Sequence, residues 1–158
     1  MAPSRPRPRP HDPDLEVDER SDGAPVAVHL RPTFIALVAL GGAAGSLARH
    51  GVELLLGTSD GLPVGTLTVN LVGAFALGAL LEGLATRGSD AGHRRTARLL
   101  VGTGFLGGFT TYSALAVESD ALVRDGRVGL ALGYVLATVV VGLIASVAGI
   151  LTARAAAR

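Results

Sequence analysis

Residues 102–115 read Gly-Thr-Gly-Phe-Leu-Gly-Gly-Phe-Thr-Thr-Tyr-Ser-Ala-Leu, four glycines and a Thr-Thr-Tyr-Ser run inside a stretch, residues 99–117, that carries no charged side chain. That stretch is about as long as a helix needs to be to cross a bilayer. Its interior is rich in residues that open a helix rather than extend it. An unpaired peptide group in hydrocarbon costs several kcal/mol, so opened backbone at membrane depth survives only where it faces protein, water or an ion. The segment therefore reads as a functional break within a membrane span.

Outward from it, uncharged runs also cover residues 32–48, 61–81 and 128–153, each close to or above the roughly 18 residues that mark a spanning helix. The apolar residues, 49% of the chain, come in these blocks instead of being scattered as in a soluble domain. The pattern predicts an all-α membrane protein of four transmembrane helices, at about residues 33–56, 63–86, 96–119 with its interruption, and 127–154. Pro63 suits the first turn of the second helix. Short connections rich in Gly, Ser and Asp at residues 57–62 and 120–126, and a polar loop at 87–95, make the helices neighbours in a bundle.

Residues 1–31 form a separate zone, Arg-Pro-Arg-Pro-Arg-Pro followed by an acidic stretch, and are expected to be a disordered tail ahead of a channel-sized domain at 32–158. The tail lacks the apolar core of a signal peptide; Arg5, Arg7 and Arg9 are its only candidate contact with anionic lipid. With a net charge of +1 and basic residues that are all Arg without interleaved aromatics, nucleic acid is not an expected partner. The absence of Cys excludes disulfides, thiolate metal sites and cysteine nucleophiles. His11, His29, His50 and His93 lie outside the apolar runs, and no acid pair or metal-ligand spacing occurs, so no catalytic set is present and an enzyme is not expected.

Arg placement predicts orientation, since basic residues favour the cytoplasmic side. Arg31, Arg87, Arg94, Arg95, Arg98, Arg154 and Arg158 fall on the side of the N-terminus, against Arg49, Arg124 and Arg127 on the other. Both termini are expected in the cytoplasm of a bacterial cell, with the chain a multi-pass protein of the plasma (inner) membrane.

Several positions could carry chemistry. Small residues four apart, Gly41 and Gly45, Ala74 and Gly78, Gly104 and Gly108, Gly129 and Gly133, allow close helix packing. Arg49 follows on the face of Gly41 and Gly45; it either attracts an anion into a vestibule or pairs with Glu53 and the headgroups. Asn70, the only Asn, can hold an anion with its amide hydrogens or make an interhelical hydrogen bond. Tyr134, Thr138, Gly142 and Ser146 form a polar or small stripe on the fourth helix, suited to an anion, to a file of water or to plain helix contact. Within residues 102–115, opened carbonyls could bind a cation, and aromatic edges could face an anion.

Three motifs in order resemble the Fluc (CrcB) fluoride channel family over about residues 34–152. They are Gly41-Gly42-Ala43-Ala44-Gly45-Ser46-Leu47-Ala48-Arg49, then Gly65-Thr66-Leu67-Thr68-Val69-Asn70 continuing to Gly73, and then Gly104-Phe105-Leu106-Gly107-Gly108-Phe109-Thr110-Thr111-Tyr112-Ser113. The resemblance implies a passive channel for fluoride, built in the lipid bilayer as an antiparallel, dual-topology dimer with two pores. It implies a structural Na⁺ at the dimer centre, held by the backbone carbonyls of Gly107 and Thr110. Asn70 maps to the pore asparagine, Arg49 to the vestibule, Tyr112 and the adjoining Ser113 to the pore, and Tyr134 and Thr138 to a fourth-helix polar track. Fluoride that enters as neutral HF and ionises inside would leave through such a pore.

Two departures stand out. Where the family has two pore phenylalanines three residues apart, this chain has Tyr112 and Leu115; and His50, rather than Tyr, follows Arg49. The Arg bias also favours one orientation, so the expected assembly is a homodimer or, as the bias and Leu115 suggest, a heterodimer with a second family member inserted oppositely. The alternatives are a non-conducting partner subunit and a small four-helix drug exporter. The exporter needs a carboxylate at membrane depth, whereas Glu53, Glu82 and Glu118 are expected only near helix ends.

Overall fold

The computed structural model describes residues 17–19, 25–27 and 31–158. The tail reading for residues 1–31 lies largely outside the described residues. Within them, a short antiparallel pair, β1 (Val17–Glu19) and β2 (Pro25–Ala27), is in register Val17 with Ala27 and Glu19 with Pro25.

From residue 31 onward the described chain is helical. Helix α1 is Pro32–Leu56 and α2 is Val64–Ala85. The third span, His93–Arg124, is composite: α3 (His93–Ala97), a wide π-helical stretch Arg98–Leu106, α4 (Gly107–Phe109), and α5 (Tyr112–Arg124). Helix α6 is Val128–Ala156. Four helical spans long and apolar enough to cross a membrane make this a multi-pass membrane protein.

Residues 57–62 form a tight reversal between α1 and α2. Ser59 and Leu62 exchange backbone hydrogen bonds at 3.0 and 2.8 Å across Asp60 and Gly61, both at positive φ (52° and 82°), the pairing that Asp-Gly supplies at lowest cost. The Arg127 guanidinium donates to the Asp60 carbonyl and ties this turn to the start of α6.

The glycines act mainly as contact points. A methyl group on Gly41 would overlap the Leu100 carbonyl oxygen, one on Gly45 the Phe105 carbonyl, and one on Gly108 the Gly42 carbonyl, so α1 lies with its backbone against the third span. In the same way Gly78 rests on the Ser146 carbonyl and Gly149 on the Phe75 carbonyl, joining α2 to α6. Lipid tails give no hydrophobic drive for helix association, so such close backbone approach supplies much of it through dispersion and Cα–H···O contact. Gly129 and Gly133, by contrast, have open space where a side chain would stand.

A small apolar cluster of Leu115, Leu122, Ala131 and Tyr134, flanked by Leu62 and Leu67, seals α5 against α6. Outward-facing apolar side chains such as Leu40, Leu47, Leu136, Val140 and Leu143 remain exposed, as a lipid-facing or subunit-facing surface requires.

Candidate functional site

The helix of the third span opens at two threonines. Thr110 (φ −81°, ψ 155°) and Thr111 (φ −147°, ψ 127°) are both extended, an ordinary conformation for β-branched residues. Of the two features expected to open the backbone, the glycines and the Thr-Thr-Tyr-Ser run, it is the threonines that do so. Gly104 and Gly108 stay helical and pack on α1, while the interruption itself belongs to the threonine pair.

Three side chains stabilise the opening. The Asn70 carboxamide of α2 brackets one residue, its Nδ2 donating to the Thr111 carbonyl at 2.9 Å and its Oδ1 accepting the Thr111 N–H at 2.7 Å. The Thr111 hydroxyl caps α5 by accepting the Ala114 N–H at 3.1 Å. The Thr110 hydroxyl donates back to the Leu106 carbonyl at 2.9 Å. Ser113 stands beside this cap, its hydroxyl 3.2 Å from that of Thr111. Tyr112 projects outward, 82% exposed.

Arg49 has both of the partner types open to it. Its Nε donates to the Gly108 carbonyl at 3.3 Å, joined there by the Ser46 hydroxyl at 3.4 Å, and its guanidinium also pairs with Glu53 at 3.3 Å. The carbonyl just ahead of the break is thus neutralised by α1.

A second polar group lies one turn along α2. Thr66, four residues before Asn70 and so on the same face, donates its hydroxyl to Glu118 Oε1 at 2.7 Å, and Tyr134 donates to Glu118 Oε2 at 2.7 Å. Thr66 is 2% exposed and Tyr134 1%. One carboxylate thus joins α2, α5 and α6, each oxygen holding a hydroxyl. Thr138 extends the line along α6, its hydroxyl bonded to the Tyr134 carbonyl at 2.8 Å.

The candidate residues therefore fall into three connected places. Asn70, Tyr112, Ser113 and the carbonyls of Gly107 and Thr110 belong to the break, Tyr134 and Thr138 to the buried line, and Arg49 to the α1 side of the break. Sequence reading missed Glu118 and Thr66. Glu118 is not at a helix end: α5 runs on to Arg124, which places the carboxylate well inside the span. The available signals were the spacing of Thr66 from Asn70 and a lone carboxylate following a long uncharged run. Leu115, at the position of the second expected ring, is 5% exposed and packs in the cluster with Tyr134.

Comparison with known proteins gives the chain a family. Residues 36–150 match the family described as CrcB-like protein, Camphor Resistance (CrcB). A protein of Leifsonia xyli subsp. xyli named fluoride-specific ion channel FluC 2 is 48% identical over 123 residues, covering 78% of this chain and 85% of the relative. One of Cutibacterium acnes, FluC 1, is 49% identical over 113 residues, covering 71% and 79%. A third, the FluC of Paracoccus denitrificans, is 48% identical over 126 residues, covering 79% and 97%. With the family match over residues 36–150 and such identity over nearly the whole helical unit, the chain belongs to the CrcB/FluC family of fluoride channels, which are not enzymes.

Proposed function

We propose that this chain is a subunit of a passive, fluoride-selective channel that lets cytoplasmic fluoride leave the cell down its electrochemical gradient. What carries the reading is the opened backbone at Thr110 and Thr111 in a chain whose relatives bear that function in their names. At the opening, Asn70 uses one amide hydrogen on Thr111 and keeps a second available to an anion. Tyr112 and Ser113 stand at the same level. Beyond them lie the hydroxyls of Thr66, Tyr134 and Thr138, whose protons go to Glu118 and to the Tyr134 carbonyl and would have to turn to meet an anion. Arg49 supplies positive charge at the mouth, where it raises the local anion concentration.

The assembly proposed is an antiparallel dimer with two pores, this chain having both termini in the cytoplasm of the inner membrane and its partner inserted oppositely. The one-sided Arg distribution supports a partner different from this chain, because a chain that inserts both ways carries little bias. Leu115 supports the same reading, since it offers no aromatic edge and a partner would have to supply one.

A structural Na⁺ at the dimer centre fits the residues present. Among the described residues, the carbonyls of Gly107 and Thr110 receive no hydrogen bond, Gly107 faces open space, and hard oxygen donors suit an alkali cation. No cluster of His, Asp or Glu suited to a metal exists among those residues. Gly107 and Thr110 would hold the ion, which when bound supplies fixed positive charge between the pores.

The test is fluoride efflux from liposomes, with this chain alone and with an oppositely inserting family member. Efflux that needs the partner and excludes chloride is expected. Asn70→Asp should slow it by roughly 100-fold or more, since a like charge in a low-dielectric pore opposes an anion by several kcal/mol. Rapid efflux from this chain alone would overturn the heterodimer, and efflux unaffected by Asn70→Asp would remove Asn70 from the pore. No efflux in any combination would leave the non-conducting partner as the function.

A further inference from the structure

The two carbonyls proposed to hold the cation are free for a specific reason. In an uninterrupted helix the Gly107 carbonyl accepts the N–H of Thr111, and the Thr110 carbonyl accepts that of Ala114. Here the Thr111 N–H goes to Asn70 Oδ1, and the Ala114 N–H goes to the Thr111 hydroxyl. Two side chains have thus taken the donors that would otherwise occupy those oxygens. The Gly108 carbonyl, by contrast, is taken by Arg49 and Ser46.

The Asn70 geometry also explains why the chain stays open there. In an extended residue the N–H and C=O point to the same side, as in a hydrogen-bonded strand pair, so one carboxamide can bond both. In a helix they point in opposite directions along the axis, and a single amide cannot reach the two. Binding both groups of Thr111, at 2.7 and 2.9 Å, therefore selects the extended form of that residue.

We infer that Asn70 and Thr111 are positioning residues for the cation site: by capturing the N–H groups of Thr111 and Ala114 they keep the Gly107 and Thr110 carbonyls unoccupied and presented to the ion. This rests on the Na⁺ reading above and gives Asn70 a second task, separable from any contact with fluoride. One carboxamide then links the ion-binding backbone to the pore, so that neither can be altered at residue 70 without the other being probed.

The separation comes from chemistry. Asn70→Asp keeps an oxygen to accept the Thr111 N–H but puts a negative charge beside the proposed anion path. Asn70→Ala releases that N–H to return to Gly107. Thr111→Val removes the cap on Ala114, whereas Thr111→Ser retains it.

The experiment is equilibrium dialysis of the purified protein, assembled with its partner if efflux requires one, against a series of Na⁺ concentrations in an organic-cation buffer, with bound Na⁺ read by atomic emission. Asn70→Ala and Thr111→Val are expected to raise the half-saturating Na⁺ concentration at least tenfold. Asn70→Asp and Thr111→Ser should stay within about threefold of the parent, as should Thr152→Ala, whose hydroxyl bonds only its own helix. A general loss of folding would lower the number of sites without this pattern, and thermal unfolding in saturating Na⁺ checks it. Saturable binding by the parent with an unchanged half-saturation in Asn70→Ala and Thr111→Val overturns the positioning role while leaving the cation reading in place. Absence of saturable binding by the parent overturns both.

Discussion

Glu118→Leu is expected to abolish fluoride efflux and to destabilise the protein by roughly 2–6 kcal/mol, because it leaves two buried hydroxyl donors without an acceptor at about 1–3 kcal/mol each. The donors are Thr66 and Tyr134, 2% and 1% exposed, each bonded at 2.7 Å to a different oxygen of the carboxylate. Glu118→Gln should cost about 1 kcal/mol, since its carbonyl still accepts one hydroxyl and the other hydroxyl can turn to accept from the amide. Replacing the whole group, with Thr66→Val, Glu118→Leu and Tyr134→Phe together, removes donors and acceptor at once. Such a substitution is often neutral or stabilising for a buried polar network. The triple variant is therefore expected to recover most of the thermal midpoint lost by Glu118→Leu while remaining inactive in efflux. Recovery of both would mean that these three residues serve packing only. A single Glu118→Leu protein that melts and conducts like the parent would show that neither stability nor conduction depends on the carboxylate.

The misplacement of Glu118 shows where sequence stops being informative in a membrane helix. Uncharged runs mark the hydrocarbon core of each span, and all four spans were legible that way, α1, α2 and α6 to within a residue or two at each end. The third was not. Glu118, Asp120 and Arg124 look like the end of a span, yet α5 continues through them because Asp120 and Arg124, four apart, pair at 2.8 Å on its surface. Glu118 in turn is neutralised by hydroxyls contributed by α2 and α6, distant in sequence. The break has the same character. Its existence was legible from the glycines and the Thr-Thr-Tyr-Ser run, but its position at the two threonines is held by Asn70, whose bonds to Thr111 span 41 residues. The glycine pairs Gly41/Gly45 and Gly104/Gly108 were legible as close-packing positions from their spacing, but composition cannot tell a glycine that also opens a helix from one that only admits a neighbouring backbone. The carbonyls opposite Gly41, Gly45 and Gly108 decide that these do the latter. The exporter reading loses its ground through the family match, not through the placement of its missing carboxylate.

Gly45→Val is expected to be the most damaging single change on α1, costing about 3 kcal/mol or more, at the upper end for overpacking, and removing efflux with it. An added Cβ there meets the carbonyl oxygen of Phe105, with the Phe105 carbonyl carbon and the Phe109 nitrogen both at 2.9 Å. These are backbone atoms of a helix and cannot rotate aside as a side chain would. Relief requires α1 to withdraw from the third span. Withdrawal carries Ser46 and Arg49 away from the Gly108 carbonyl, which they hold at 3.4 and 3.3 Å. An exposed carbonyl beside Thr110 and Thr111 would then compete for the N–H groups that Asn70 and the Thr111 hydroxyl now hold, so a packing fault reaches the ion site through hydrogen bonding. Gly51→Ala is the matched control. It lies on the same helix with nothing within 4 Å of the added methyl, and replacing Gly by Ala in a helix gains up to about 1 kcal/mol. Thermal midpoints of the purified variants, measured beside their efflux rates, should fall sharply for Gly45→Val and hold or rise for Gly51→Ala. Equal midpoints for the two would mean that the close approach of α1 to the third span carries no stability of its own.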